Sequence, residues 1–213
     1  PQAQETAERA LGIANKVYGE EHPVVVAILN TLGRLEIQQD RLLRARPHLE
    51  KAQDIEEKME KTLGEDNLLV AVTMGNLAAL ENGPYDYTRG VKRYRRAIEM
   101  TEKIFRQADP EHPEHPEHPA VARLLVDLAS LLVHRSRYEE AEKCLGRALQ
   151  IQEKVVVPFQ PNHPEVADTL EAYAAVLRKL SPPQADRAKK MEARAEEIRD
   201  KHSEEDRPKA ASP

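Results

Sequence analysis

The chain has 213 residues and a formal net charge of −5, with 40% hydrophobic residues, only 4% aromatic residues and no tryptophan, so its core must be built from Leu, Val, Ile and Ala. The acidic balance argues against nucleic acid or an anionic membrane as the main partner, and no apolar run has the length of a membrane span. The single cysteine, Cys144, excludes an internal disulfide framework and a multi-cysteine metal site. It fits a reducing compartment; the cytoplasm is the expected location, with a fragment or a processed form left open.

The first predicted helix covers 3–18. Ala7 in it occupies a position that returns 45 residues later as Ala52. The chain therefore opens inside the second helix of a repeating unit whose first helix is missing, which favours self-association through that end or a longer parent protein. Next comes His22-Pro23, a junction that returns as Asn67-Leu68, His118-Pro119 and His163-Pro164, at steps of 45, 51 and 45 residues. Self-similarity at such a period marks an array whose units bury their apolar faces only by stacking. Between the junctions, apolar residues fall three, four and seven apart, which predicts helix pairs at 24–38 and 41–63, 68–81 and 86–107, 120–135 and 138–156, and 164–180 and 184–201. Breaks are expected near Gln39-Asp40, Asn82-Gly83-Pro84, Arg135-Ser136 and Ser181-Pro182-Pro183. The expected organisation is a half repeat (1–23), four repeats (24–67, 68–119, 120–163 and 164–202) and a disordered polar tail (203–213).

Small residues recur in three columns: Gly33, Ala78, Ala129 and Ala174; Ala45, Gly90 and Ala141; Ala52, Ala97 and Ala148. Large residues such as Leu29, Met74, Leu125 and Leu170 fill the columns between. Small side chains at a crossing let two helix axes approach closely.

This small–large–small spacing resembles the tetratricopeptide repeat. The stretches Tyr138-Glu139-Glu140-Ala141-Glu142, Arg147-Ala148-Leu149 and His163-Pro164-Glu165-Val166-Ala167 are similar to its kinesin-light-chain type. The resemblance covers residues 1 to about 201. In the last repeat the second helix is shifted by two, which places Ala188 and Ala195 in the small columns. The resemblance implies an all-α, right-handed solenoid of helix-turn-helix repeats whose first helices line a concave groove. The Asn pair of that groove helix is eroded here to Asn30-Thr31, Gly75-Asn76, Val126-Asp127 and Glu171-Ala172.

Signals for chemistry are few. The insertion from Pro110 to Pro119 places Pro at every third position, which favours polyproline II and sets His112, His115 and His118 about 9 Å apart along one face. Ligands of one ion lie much closer together. A stiff spacer is expected, with no metal and no cofactor. Cys144 reads as a buried core thiol, and the pairs Glu139-Glu140 and Glu56-Glu57 read as solvated helix faces. No glycine-rich phosphate loop and no nucleophile beside a base is present, so an enzyme is not expected.

The functional signal is a polar stripe. In 120–135, Arg123, Asp127, Ser130 and His134 are spaced four, three and four and share one face. The equivalent stripe holds Thr31, Arg34 and Gln38 with Asn30 beside it, then Asn76, then Asp168 and Glu171. Asn30, Arg34, Asn76, Arg123 and Asp127 are the candidate contacts to an extended or helical segment of a protein partner. The alternative is a structural role in which the array self-associates through its ends, with Ala7, Leu11 and Ala14 expected as an open apolar face.

Overall fold

The computed structural model describes residues 2–59, 67–81, 83, 86–108, 118–154 and 163–205. These form nine α-helices and no strand: α1 (Gln2–Tyr18), α2 (Pro23–Gln38), α3 (Leu42–Lys58), α4 (Leu68–Ala79), α5 (Tyr87–Ala108), α6 (Pro119–Val133), α7 (Tyr138–Lys154), α8 (Pro164–Lys179) and α9 (Ala185–Glu205). The chain divides into two compact units, Pro1–Pro116 and Glu117–Pro213. In unit 1, α2 packs on α1, α3 and α4, and α3 also packs on α4. In unit 2, α7 packs on α6 and α8, and α8 on α9. The array is thus all-α and built from helix pairs. Most of the spacer, 109–117, and residues 206–213 of the tail lie outside the described residues. The helix α9 runs to Glu205, past the expected helix end at 201 and into the first residues of the tail expected to be disordered, because no proline or glycine interrupts Lys201 to Glu205.

The residue that returns at each junction is a helix N-cap. The imidazole Nδ1 of His22, His118 and His163 accepts from the backbone N–H of Val24, Ala120 and Glu165 at 3.2, 3.1 and 3.2 Å. Asn67 does the same with its carboxamide oxygen, accepting from Leu69 N–H at 2.8 Å. Each bond satisfies one of the donors that a helix start leaves unpaired. Pro at the position after each histidine adds a preset φ and removes one such donor outright.

Helix ends repeat as well. After α2, Asp40 takes φ 56°; its N–H donates to Ile37 O at 2.9 Å and Arg41 N–H to Glu36 O at 2.8 Å. After α6, Ser136 takes φ 56°, with Ser136 N–H to Val133 O at 2.9 Å and Arg137 N–H to Leu132 O at 3.1 Å. This paired bonding across a left-handed residue is the Schellman stop, and it reverses the chain into the next helix.

All three small columns are buried. At Gly33 the space is fully used, since a Cβ there would lie 2.4 Å from Leu49 Cδ2. Ala188 and Ala195 are buried too, consistent with the two-residue shift in the last helix. The face expected to be open on α1 is covered. Ala14 is 3% exposed and clusters with Val25, Val26, Leu29, Ala52 and Ile55, with Leu11 against them, because α1 seats on α2.

Candidate partner-binding surface

Every first helix is mostly apolar on the sides that meet its neighbours, with Asn30, Glu36, Thr73 and Thr169 as buried polar exceptions, and keeps one stripe for solvent. On α2 the exposed stripe is Val24, Ala27, Thr31, Arg34 and Gln38. On α4 it begins with Leu68 and Val72 and continues with half-buried Asn76. Val24, Leu68 and Val72 are each more than a third exposed although α2 and α4 supply much of the core of unit 1. An open cleft of about 600 Å³ lies between α1 and α2 beside this stripe, lined by Ala3, Thr6, Ala7, Ala10, Ile28 and Thr31. The charge on the stripe is a single one, Arg34; α4 contains no charged residue at all.

In unit 2 the stripe is charged. Arg123, Asp127 and Ser130 on α6 and His134, its C-cap, are exposed, as are Asp168 and Glu171 on α8. Arg123 Nη2 meets Glu165 Oε1 at 3.0 Å. Arg199, at the far end of α9, donates to Asp168 Oδ1 at 2.8 Å and to both Glu171 oxygens at 2.7 and 2.9 Å. That bidentate pairing holds the Glu171 carboxyl below the ordinary carboxylate range and raises the Arg199 guanidinium.

Of the five candidate contacts, Arg34, Arg123 and Asp127 are exposed. Asn30 is not; it is 4% exposed and points toward the next repeat. Its Nδ2 donates to Thr73 Oγ1 at 2.7 Å, and its Oδ1 accepts from Asn76 Nδ2 at 2.9 Å. Asn30 sits one residue before the stripe, so roughly 100° of helix rotation turns it inward. Glu56, expected on a solvated face, is buried instead; its Oε1 accepts from Thr73 Oγ1 at 2.6 Å. Burial pushes its carboxyl up to about 7, the Thr73 hydrogen bond opposes that, and neighbouring Glu57 adds to it. Cys144 is half-buried on α7 rather than fully buried. Among the described residues, no three metal-ligating side chains gather in one place and no helix is long and apolar enough to cross a membrane. His112 and His115 lie outside the described residues.

The tetratricopeptide repeat profile matches residues 1–58 and 120–201, well over half of the chain. This chain belongs to the tetratricopeptide repeat family. Its fold is similar to that of BtubC (BKLC) from P. vanneervenii, with a TM-score of 0.69 and 19% identity over 100% of this chain and 78% of that one. It is also similar to the nearly identical TPR-like repeats of a Podosopora anserina protein assigned as a kinesin light chain. A crystal structure of a singly substituted form of those repeats gives a TM-score of 0.59 at 20% identity, covering 95% of this chain and 88% of that one. Another crystal structure of the Podosopora anserina repeats gives 0.56 at 19% identity, covering 97% and 89%. No curated protein sequence matches this chain. The tetratricopeptide repeat with kinesin-light-chain-like structural neighbours is therefore its family and fold, and repeats of this fold mediate protein–protein interaction.

Proposed function

We propose that the chain is a protein-binding scaffold, without catalytic activity, whose first-helix stripe in unit 1 receives an extended or helical segment of a partner protein. The observation that carries this reading is the exposure of Val24, Leu68 and Val72 on helices otherwise consumed by the core. Exposed apolar side chains in a contiguous set beside polar ones mark contact surfaces. Arg34 and Asn76 flank them, one able to clamp a carboxylate and the other to bond a peptide backbone. In unit 2, Arg123 and Asp127 extend the same reading to a charged partner segment. The repeat boundaries proposed from the sequence are 24–67, 68–119, 120–163 and 164–202.

Selection of a displayed peptide library against the chain tests the proposal. Selected peptides should lose at least about tenfold in affinity, roughly 1.4 kcal/mol, when Val72→Asp is combined with Asn76→Ala. Glu139→Ala on α7 should leave affinity unchanged, and Val72→Asp alone should not lower the melting temperature by more than a few degrees, whereas adding Asn76→Ala leaves buried Asn30 Oδ1 without its donor and should cost about 1–3 kcal/mol of stability. Peptides that bind parent and double variant equally would place the contact elsewhere.

A second reading has its own observation. Ile13 and Val17 on α1 are 62% and 64% exposed, a turn apart on one face. Self-association through α1 would cover them. Sedimentation of the parent against Val17→Glu decides: a concentration-dependent dimer abolished by the substitution supports it, and a monomer at all concentrations removes it.

A further inference from the structure

We infer that Glu56 is a positioning residue for Asn76: acting through Thr73 and Asn30, its carboxylate fixes which end of the Asn76 carboxamide is presented on the exposed stripe of unit 1. The inference deepens the partner-surface reading above and takes that surface as given. It starts from an unbroken run of hydrogen bonds from α3 through α4 to α2 and back to α4. Thr73 Oγ1 donates to Glu56 Oε1 at 2.6 Å, Asn30 Nδ2 donates to Thr73 Oγ1 at 2.7 Å, and Asn76 Nδ2 donates to Asn30 Oδ1 at 2.9 Å. Asn76 Nδ2 also reaches the backbone oxygen of Asn30 at 3.5 Å. Glu56, Thr73 and Asn30 are buried, while Asn76 is half-buried at the edge of the stripe.

The direction of this relay is not free. An ionised carboxylate only accepts, and a threonine hydroxyl carries one hydrogen. The carboxylate is a stronger acceptor than the Leu69 carbonyl, which lies 3.1 Å from the same hydroxyl, so the hydrogen goes to Glu56. Thr73 Oγ1 is then an acceptor toward Asn30. A reversed Asn30 would set its own oxygen against that acceptor, inside a buried site where an unmade bond is costly. Asn30 must therefore offer its NH₂ to Thr73 and its oxygen to Asn76. Asn76 in turn must direct its NH₂ inward, and its carbonyl oxygen faces the stripe, ready for an N–H of a partner backbone. Protonating Glu56 lifts the restriction. The acid can donate to Thr73, whose hydrogen is released toward Asn30 or Leu69, and both carboxamides can then reverse.

The electrostatic surroundings suit a group that changes state. Among the helices packed on α3, α4 carries no charge, and the charges on α2 are exposed Arg34 and buried Glu36, the latter engaged by Gln4 and Arg41. The charge acting on Glu56 is Glu57 on its own helix.

The test needs no partner. The side-chain amide NMR signals of Asn30 and Asn76 are followed alongside the Glu56 carboxyl signal from about pH 5 to about pH 9, which spans the titration of a raised carboxyl. In the parent all three should move with one midpoint. In Thr73→Val the Glu56 carboxyl should still titrate, with a higher midpoint, while the Asn76 amide stays still. In Glu56→Gln the asparagine signals should be flat. A parent in which Glu56 titrates and Asn76 does not respond overturns the inference, as does an Asn76 response that survives Thr73→Val. Failure of the peptide-binding test with the relay titration intact would remove the partner reading and leave the relay standing.

Discussion

At the repeat position held by Glu36 and Glu81 in unit 1, unit 2 carries Leu132 and Leu177. At the exposed position held by Ala27 and Val72 in unit 1, unit 2 carries Arg123 and Asp168. Unit 1 therefore buries carboxylates and exposes apolar side chains, and unit 2 does the opposite on the same backbone plan. The buried acids are managed individually. Glu36 accepts from Gln4 at 2.9 Å, and Glu81 accepts from Arg89 and Arg93 at 2.6 and 3.1 Å. The junction caps, the Schellman stops and the small columns are common to both units. The lesson is that helix ends and small residues define the repeat, while the positions between them accept opposite chemistries. Partner choice resides in those variable positions.

Exchanging the buried residue between units strains the comparison most. Leu132→Glu should destabilise the chain by about 3–5 kcal/mol, the cost of an uncompensated buried charge. The nearest counterpart of Arg41 is Arg137, already held by Glu140 at 2.6 Å. The reverse change, Glu36→Leu, should be neutral within about 1 kcal/mol or stabilising, because a well-packed apolar residue can replace a buried charge without loss. Urea denaturation of both variants measures this. Equal losses in the two directions would mean that the acids of unit 1 are required by the fold and are not a local substitution for leucine.

The features shared by the units should respond alike. Gly33→Ala in unit 1 should cost about 1–3 kcal/mol by overpacking, partly offset by the better helix propensity of alanine. Ala148→Leu in unit 2, at a fully buried position, should cost a similar amount. The clash at Gly33 is with Leu49, so on a Leu49→Ala background Gly33→Ala should lose its penalty. A penalty that persists there would assign the close approach to backbone rather than to the Leu49 side chain.

The repeat and its register were legible in the sequence because they depend on residue size and on period. His22, Asn67, His118 and His163 announced the helix starts before any cap bond was visible. Buried polarity was not legible. Glu56 looks like any acidic helix residue, and its acceptor role depends on Thr73, 17 residues away. Asn30 lies one position off the stripe, and its partners are 43 and 46 residues away. The apolar stripe of unit 1 was missed for a different reason. A search for polar faces passes over α4, which is apolar nearly all round, and only the alignment of Val72 with Arg123 and Asp168 reveals that its column faces solvent. In α1 the exposed Ile13 and Val17 were overlooked because Ala7, Leu11 and Ala14 made the stronger helical pattern.

The finest test of the contrast is pH, since the two units carry shifted groups of opposite sign. In unit 1, Glu56 is raised to about 7 from an ordinary 4.5 by burial. Between those values the folded chain keeps a proton that the unfolded chain releases, so this contribution is complete below the ordinary value and is lost as pH rises through about 7. In unit 2, burial lowers the His118 imidazole from its ordinary 6.5. Here the unfolded chain holds the extra proton, so the contribution is complete above 6.5 and declines as pH falls toward the folded value. The cause is burial, which disfavours the charged ring; protonation would also end the cap, because neutral Nδ1 accepts from Ala120 N–H and a protonated ring cannot. One proton gives a slope of at most about 1.4 kcal/mol per pH unit. Glu56→Gln should flatten the fall in stability between about pH 5 and about pH 8, and His118→Asn should remove the loss on the acid side. Asparagine is the right replacement because Asn67 already performs the same capping without titrating. If urea midpoints of His118→Asn and the parent run parallel from about pH 7 to about pH 5, the imidazole is not the acid-sensitive cap of unit 2.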